Sequence, residues 1–494
     1  MTRHGSYTVD IVPPRSKYYD SGRFGRMFGS LPPFAADTPE IRAALLDIGK
    51  PGGIMDAQDD LAAGPVQLIV DPALSQHNRN STTHVAGDTF LGQFIDHDIT
   101  FDPTSSLSRA VDPEQISNFR TPSLGLDNIY GSGPNISPHL YDQHSGGIAM
   151  LLEETGTPGK NDVPRNSQGV ALIGDPRDDE NLIVSQLQTG MLRFHNAVLD
   201  HVRSDLGITN PGEAFTEAQR IVRWHYQWIV VHHFLTKTCG DDVVTDVLTN
   251  GRRFYSWNNE PFIPVEFSVA AYRFGHSQIR PSYRANFTGN PGGTPFFGMI
   301  FTADSLPGGD PDDLSGGCRA PRRFVDWPTF FDFGDGNVRP NKKIDTTLST
   351  ALFTLPGSVV ARPDAKTNPA SLAQRNLLRH LTFSLPSGQR VARAMNAPEL
   401  RGSDLADLQQ YGLDDRTPLW FYVLREADVA GDGERLGPVG GRIVAEVMLG
   451  LIEGDSTSYL AQDPDWQPFL PTIDPTRQHT DFQMIDLLRF AGVA

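Results

Sequence analysis

The feature that most constrains this chain is a set of long segments in which apolar residues recur at helical spacing, at about 88–99, 182–203, 214–236, 265–279, 370–383 and 438–453. Loops dense in Gly, Pro, Asp and Asn separate them, and strand-like alternation is scarce. A shorter helix precedes the series: Thr38 can cap it, Pro39 suits its first position, EIRAALLDI follows, and Gly49 can end it. No period of repeated units and no low-complexity linker divides the chain. The 494 residues would admit roughly three domains at about 150 residues each, but a single large, mainly α domain with very little β structure is the reading the pattern supports. Residues 1–36, rich in Gly, Pro and Tyr, read as an N-terminal extended arm, wrapped on the surface or mobile, and 37–494 as the domain itself.

Composition narrows the partners. A net charge of −17 leaves no broad basic surface, which disfavours nucleic acid and anionic membranes and points to small molecules. With only Cys239 and Cys318, at most one disulfide can form. The N-terminus lacks an apolar h-region, and Val447–Ile452 is far too short to span a bilayer. The expectation is a soluble protein, cytoplasmic or exported by an unrecognised route.

In GDTFLGQFIDHDITF, helical spacing groups Gln93, Asp96 and His97 on one face while Leu91, Phe94 and Ile95 repeat on another. Alone, Asp-His-Asp could equally be a solvated polar face. The run Gly92-Gln93-Phe94-Ile95-Asp96-His97-Asp98, however, resembles the distal-helix signature of the animal-type haem peroxidases, a family with bacterial relatives. The resemblance implies His97 as the distal acid–base residue, Gln93 as a neighbour orienting peroxide or halide, Asp96 as an ester partner of haem, and Asp98 as a calcium ligand. Histidine suits the role because peroxide must lose a proton from one oxygen and regain it on the other, and a pKa of about 6.5 serves both steps.

Three further segments extend the resemblance. GDPRDDENLIVSQLQTGMLRFHN matches a Gly-Asp-x-Arg-x-x-Glu element before a helix with Arg-x-His-Asn. Read alone, Arg177 is most simply part of a surface charge cluster; by resemblance it is the distal arginine, stabilising charge as the O–O bond breaks, and Glu180 is the second ester partner. Asn181 stands where part of the family has a methionine bonded to haem through sulfur, so that link cannot form here. His195 reads as a satisfied structural histidine, and His225, His232 and His233 as helix packing.

In PVEFSVAAYRFGHSQ, Arg-Phe-Gly-His276-Ser resembles the proximal motif, with His276 the ligand of the haem iron. Its second ring nitrogen needs an acceptor, for which the family pattern offers Asn376; Arg379 would then reach a haem propionate. The fatty-acid dioxygenases of the same superfamily carry a radical-forming tyrosine three residues before the proximal histidine; here that position is Arg273, and Tyr272 is four before.

RTPSLGLDNIYG resembles the family's calcium loop, placing Thr121, Ser123, Gly125 and Asp127 at ligand positions, although Gly125 stands where the family has aspartate. Calcium wants six to eight oxygens, carboxylates among them. Together the resemblance implies haem b, ester-linked through Asp96 and Glu180, a Ca2+ site, and reduction of hydrogen peroxide with oxidation of phenols, halides or thiocyanate through a ferryl intermediate. The alternatives are a fatty-acid dioxygenase, a non-catalytic binding or matrix protein that keeps the fold, and a non-haem metal hydrolase built on His97 and Asp98.

Overall fold

A computed structural model describes residues 24–102, 107–108, 110–258, 260–302 and 310–494; most of the expected N-terminal arm lies outside them. The principal helices are Pro39–Ile48, Ala86–Ile99, Leu182–Ser204, Pro211–Ile229, Asp241–Asn250, Leu372–Thr382, Gly388–Met395, Leu419–Gly431, Pro438–Gly454 and Met484–Phe490. Thr38 accepts a hydrogen bond from Ile41 N and Gly49 closes the first helix, as its sequence predicts. Strands occur only as four two-stranded pairs among the described residues. The largest is the antiparallel hairpin Ser282–Asn290 with Thr294–Met299.

From Val439 to Ile452 the helix Pro438–Gly454 is buried at every residue but Arg442, as its mostly apolar sequence demands. Leu419–Gly431, Asp241–Asn250 and the segment leading to His276 pack around it. Leu182–Ser204 packs on Pro211–Ile229 and on Ala86–Ile99. Its first turn is closed by Asn181, whose side chain accepts from Val184 N at 2.9 Å. The leading amides of Ala86–Ile99 are also met, Ala86 N by Arg339 O and Gly87 N by Phe330 O, both at 2.8 Å.

Two segments depart from the expected regular helices. Residues 265–279, predicted as one helix, form a π turn over Glu266–Ala270 and then a 3-10 turn over Ala271–His276, with a break at Ala270 (φ −125°, ψ −79°). In a 3-10 turn residues three apart eclipse, so Arg273, rather than Tyr272, shares the face of His276. The predicted helix 214–236 likewise changes to a π turn at Val230–Leu235. The described part of the arm is anchored and not loose. Phe24–Gly25 pairs in parallel with Ile263–Pro264, and Met27 N and Phe28 N each donate to the buried Glu266 carboxylate at 3.0 Å. No disulfide joins the buried Cys239 and Cys318.

Candidate active site

One cavity, about 1720 Å³ of space unfilled by protein atoms and partly continuous with solvent, collects residues from the distal, arginine, proximal and asparagine segments. Gln93, Asp96, His97, Arg177, Glu180, His276, Asn376 and Arg379 all line it. Phe24 from the arm and Phe234 from the second π turn complete the apolar wall. The signature glycine, Gly92, is the reason Phe234 can come so close: a Cβ there would sit 3.2 Å from Phe234 Cζ.

His97 is 3% exposed. Its Nδ1 lies 2.7 Å from Asp178 Oδ1, and Asp178 Oδ2 accepts from Asn128 Nδ2 at 3.0 Å. Burial pushes the Asp178 carboxyl up against the pull of His97. With Nδ1 committed to this carboxylate, Nε2 is the nitrogen left for the cavity. Asp178 went unremarked in the sequence because it lies inside the acidic run that reads as surface charge.

Arg177 is held from behind. Its Nε and Nη2 meet Asp175 at 3.1 and 2.8 Å, and Nη2 also donates to His97 O at 3.1 Å and to Thr100 O. Arg120 adds bonds to Asp175 Oδ2 at 2.8 and 2.6 Å. Burial opposes charge on Asp175, but Arg177 and Arg120 outweigh it and hold its carboxyl well below the usual range. The guanidinium lies over the Phe101 ring at 4.7 Å, and its Nη1 is 3.8 Å from Asp96 Oδ2. Asn181 Nδ2 donates to Gln93 Oε1 at 3.1 Å, so this residue caps one helix and steadies a side chain on another.

The turn that carries Arg177 and Asp178 is clamped by a second strand of chain. Gly316 N donates to Glu180 O and Leu182 N to Leu314 O, each at 2.8 Å. A Cβ on Gly316 would lie 1.8 Å from Asp179 O. Because that neighbour is backbone, Gly316→Ala must displace the turn; a loss of about 1–3 kcal/mol is the ordinary scale of such overpacking. Differential scanning calorimetry should show a lowered transition, and an unchanged one would mean the turn is freer than its contacts indicate.

On the proximal side, Asn376 Nδ2 lies 2.7 Å from His276 Nδ1, while Asn376 Oδ1 accepts from Arg273 Nη1 at 3.1 Å. The two residues that the sequence pairs are thus in contact, with Arg273, whose guanidinium has only donors, on the amide oxygen. Arg273 also donates to Ser268 O at 3.0 Å, and Arg375 donates to Asn368 Oδ1 and Pro369 O at 2.5 and 3.1 Å. Both guanidiniums therefore have neutral oxygens as partners. Burial and the neighbouring Arg379 push Arg273 down to about 9 and Arg375 down to about 10.

This cationic wall fits a cofactor that brings its own carboxylates, and the apolar cavity between His97 and His276 fits a flat macrocycle. Among the described residues no group of three or more His, Cys, Asp and Glu is placed to hold a metal ion. The hydrolase alternative fails on direction as well: Asp98 turns from His97 and accepts from Leu126 N and Asp127 N at 3.1 and 2.8 Å. His195 is satisfied by Tyr130 and Ile148, as expected.

The animal haem peroxidase family model matches residues 105–315. Probable oxidoreductase PXDNL of Homo sapiens is 29% identical over 225 residues, covering 41% of this chain and 15% of that protein. Heme peroxidase 2 of Caenorhabditis elegans is 26% identical over 311 residues, 50% of this chain and 43% of that protein, and mouse thyroid peroxidase is 26% identical over 195 residues, 35% and 21%. The chain thus spans less than half the length of each of these curated relatives. Peroxidase A from Dictyostelium discoideum superposes with a TM-score of 0.55 at 16% identity, over 83% of this chain and 88% of that one. Oryza sativa fatty acid alpha-dioxygenase does so with 0.57 at 13%, over 86% and 73%.

The fold is accordingly the mainly α peroxidase fold. The resemblance to the animal haem peroxidase family, first carried by four short motifs, thus extends to a family match over residues 105–315 and to these curated relatives.

Proposed function

We propose that this chain is a haem-dependent peroxidase that reduces hydrogen peroxide and oxidises small donors such as phenols, halides or thiocyanate. The supporting observation is the convergence of motifs spread from Gln93 to Arg379 on one cavity. His276 is the iron ligand in this reading, buttressed by Asn376, and Arg379 with Arg273 and Arg375 receives the propionates. Asp96 and Glu180, which reach the cavity from different segments, are the ester partners.

Bound haem supplies the redox equivalents that cleave the O–O bond. His97 Nε2 takes the proton of the peroxide oxygen that will bind and returns it to the oxygen that leaves. Arg177, fixed by Asp175 and two carbonyls, stabilises the negative charge that develops there without reorganising. Asp178 keeps the ring proton of His97 on Nδ1, so that Nε2 is basic at the start of the cycle.

That last role has a sharp test in Asp178→Asn. Asn128 Nδ2 already donates to Asp178 Oδ2, so the new amide would keep its oxygen there and turn its NH2 toward His97. The imidazole would then carry its proton on Nε2. The stopped-flow rate with peroxide is expected to fall about 10²-fold, within the usual range for a general base, with haem content unchanged. A wild-type rate would remove Asp178 from the mechanism.

Calcium belongs to this reading as well. Asp98 is fully buried, and burial and Asp127 push its carboxyl well up, a strain that a divalent cation would relieve. Ser123 Oγ and Asp127 Oδ1 lie 3.1 and 3.7 Å from the position a Cβ on Gly125 would take, so oxygens converge on the space left by the missing family aspartate. Thr121 N, by contrast, donates to Asp127 Oδ2 at 3.1 Å. Calcium is expected to raise the melting temperature and a chelator to lower it; indifference to both would remove the site.

The reading as a whole is tested by the visible spectrum of haem-reconstituted protein, before and milliseconds after one equivalent of hydrogen peroxide. A Soret band that shifts and returns on adding phenol or iodide supports it. Haem uptake with peroxide-initiated oxygen consumption on a polyunsaturated fatty acid would instead favour the dioxygenase, against which Arg273 stands. No haem uptake would favour a binding protein that keeps the fold.

A further inference from the structure

Residues two apart on a helix point in roughly opposite directions. Where the chain delivers Phe234 to the cavity, His232 therefore faces away from it, into a different environment. Three of the six tryptophans of the chain gather there. Trp228 stacks on His232, with ring centroids 3.8 Å apart and planes at 30°. Trp466 packs against Trp224, Trp228 and Tyr459 at 5.4, 5.9 and 5.8 Å. The Tyr459 hydroxyl lies 3.2 Å from His232 Nε2.

This group runs from interior to surface. Tyr459 is 1% exposed, Trp466 is partly exposed, and Phe469, 6.4 Å from Trp466, is 41% exposed. Six residues of helix, about 9 Å of axial rise, separate Trp228 from Phe234 at the cavity wall. Close packing of large rings is an ordinary way to fill a core, but packing alone does not call for a phenol aimed at an imidazole beside indole rings. Burial holds His232 down to about 4 and pushes Tyr459 up. At neutral pH the imidazole is therefore an empty proton acceptor and the phenol a full donor.

We propose that Tyr459, with His232 as its proton acceptor and Trp228 and Trp466 as its neighbours, is a second oxidation site that serves electron-rich aromatic donors too large for the cavity. The proposal rests on the peroxidase reading above. One electron passes from Tyr459 to the centre that peroxide has oxidised by two electrons, and the phenolic proton passes to His232 Nε2, leaving a neutral tyrosyl radical. A phenol or arylamine at the Trp466–Phe469 surface returns one electron, His232 returns the proton, and the donor radical sheds its own proton to water. Two donors are consumed per peroxide, which leaves as two waters.

The test is rapid freeze-quench electron paramagnetic resonance of the haem-loaded full chain, mixed with one equivalent of hydrogen peroxide and no donor. The expected result is a protein radical whose signal narrows when tyrosine is ring-deuterated and which is lost in Tyr459→Phe, while the Soret response to peroxide keeps its rate. Oxidation of a phenol coupled to a soluble polymer should fall to background in Tyr459→Phe, and free phenol should still be oxidised. His232→Gln, which removes the proton acceptor and leaves the hydroxyl, should weaken the radical in the same way; it serves also if the first variant does not fold. A radical unchanged in both variants, or none while the Soret band responds, overturns the proposal. A Soret band that never responds overturns instead the peroxidase reading on which it stands.

Discussion

Protein carrying His276→Ala is expected to lose stable haem: after reconstitution and gel filtration the chromophore should separate from the chain, where wild-type protein keeps one equivalent. The argument is geometric. The 3-10 turn Ala271–His276 brings His276 to the cavity wall, and Asn376 fixes its Nδ1 at 2.7 Å. The side chain is therefore aimed before any cofactor arrives, and such pre-orientation is what a strong ligand requires. Alanine removes the ligand and leaves a space the size of an imidazole, so added imidazole should restore a wild-type-like Soret band. Arg273, Asn376 and the charged wall stay in place, which separates lost ligation from lost folding. A variant that keeps its haem and its spectrum without imidazole would reassign the ligand, with His97 the next candidate in the same cavity.

His97→Ala should do the reverse, retaining haem and losing its reactivity. A general base that also acts as the acid contributes about 10²–10⁴-fold, and in the proposed function one ring serves both steps, so a fall toward 10⁴-fold in the second-order rate with peroxide is expected. Stopped-flow absorbance reads it directly. The effect should exceed that of Asp178→Asn, because that variant misplaces a proton while this one removes its carrier. Unchanged kinetics would take His97 out of the reaction whatever its position.

The sequence made the residues of this site legible much better than their connections. Gln93, His97, Arg177, His276 and Asn376 are each marked by a short motif, and all of them line the cavity. What holds them was hidden. Asp178 and Asp175 sit in an acidic run that suggests solvent, yet both are fully buried, because each is paired across the fold, one with His97 and one with two arginines. The contact of Arg273 with Asn376 is one that no spacing rule predicts. Helices with a dense apolar or a capped pattern, such as Pro438–Gly454 and Pro39–Ile48, were readable. The π turns at Val230–Leu235 and Glu266–Ala270 were not, since one extra residue per turn leaves the apolar pattern nearly intact. The hairpin Ser282–Asn290 with Thr294–Met299 was missed because polar Asn286 sits inside it, satisfied by Arg322 O and Phe324 O, each at 2.9 Å.

The contacts that build the cavity also set an order of events for the newly made chain. His97 meets Asp178 across 81 residues, His276 meets Asn376 across 100, and Met27 meets Glu266 across 239. Contacts between such distant segments must close large loops before they are rewarded, and they form slowly and late. Helices such as Leu182–Ser204 can form from their own residues well before Phe24 reaches its place beside Ile263. Until it does, the apolar wall stands open to water, which makes this interval the one in which the unfinished chain is most exposed to aggregation. Uptake of a large planar molecule during that interval would cover the same surface, so cofactor supply during synthesis becomes a determinant of yield as well as of activity.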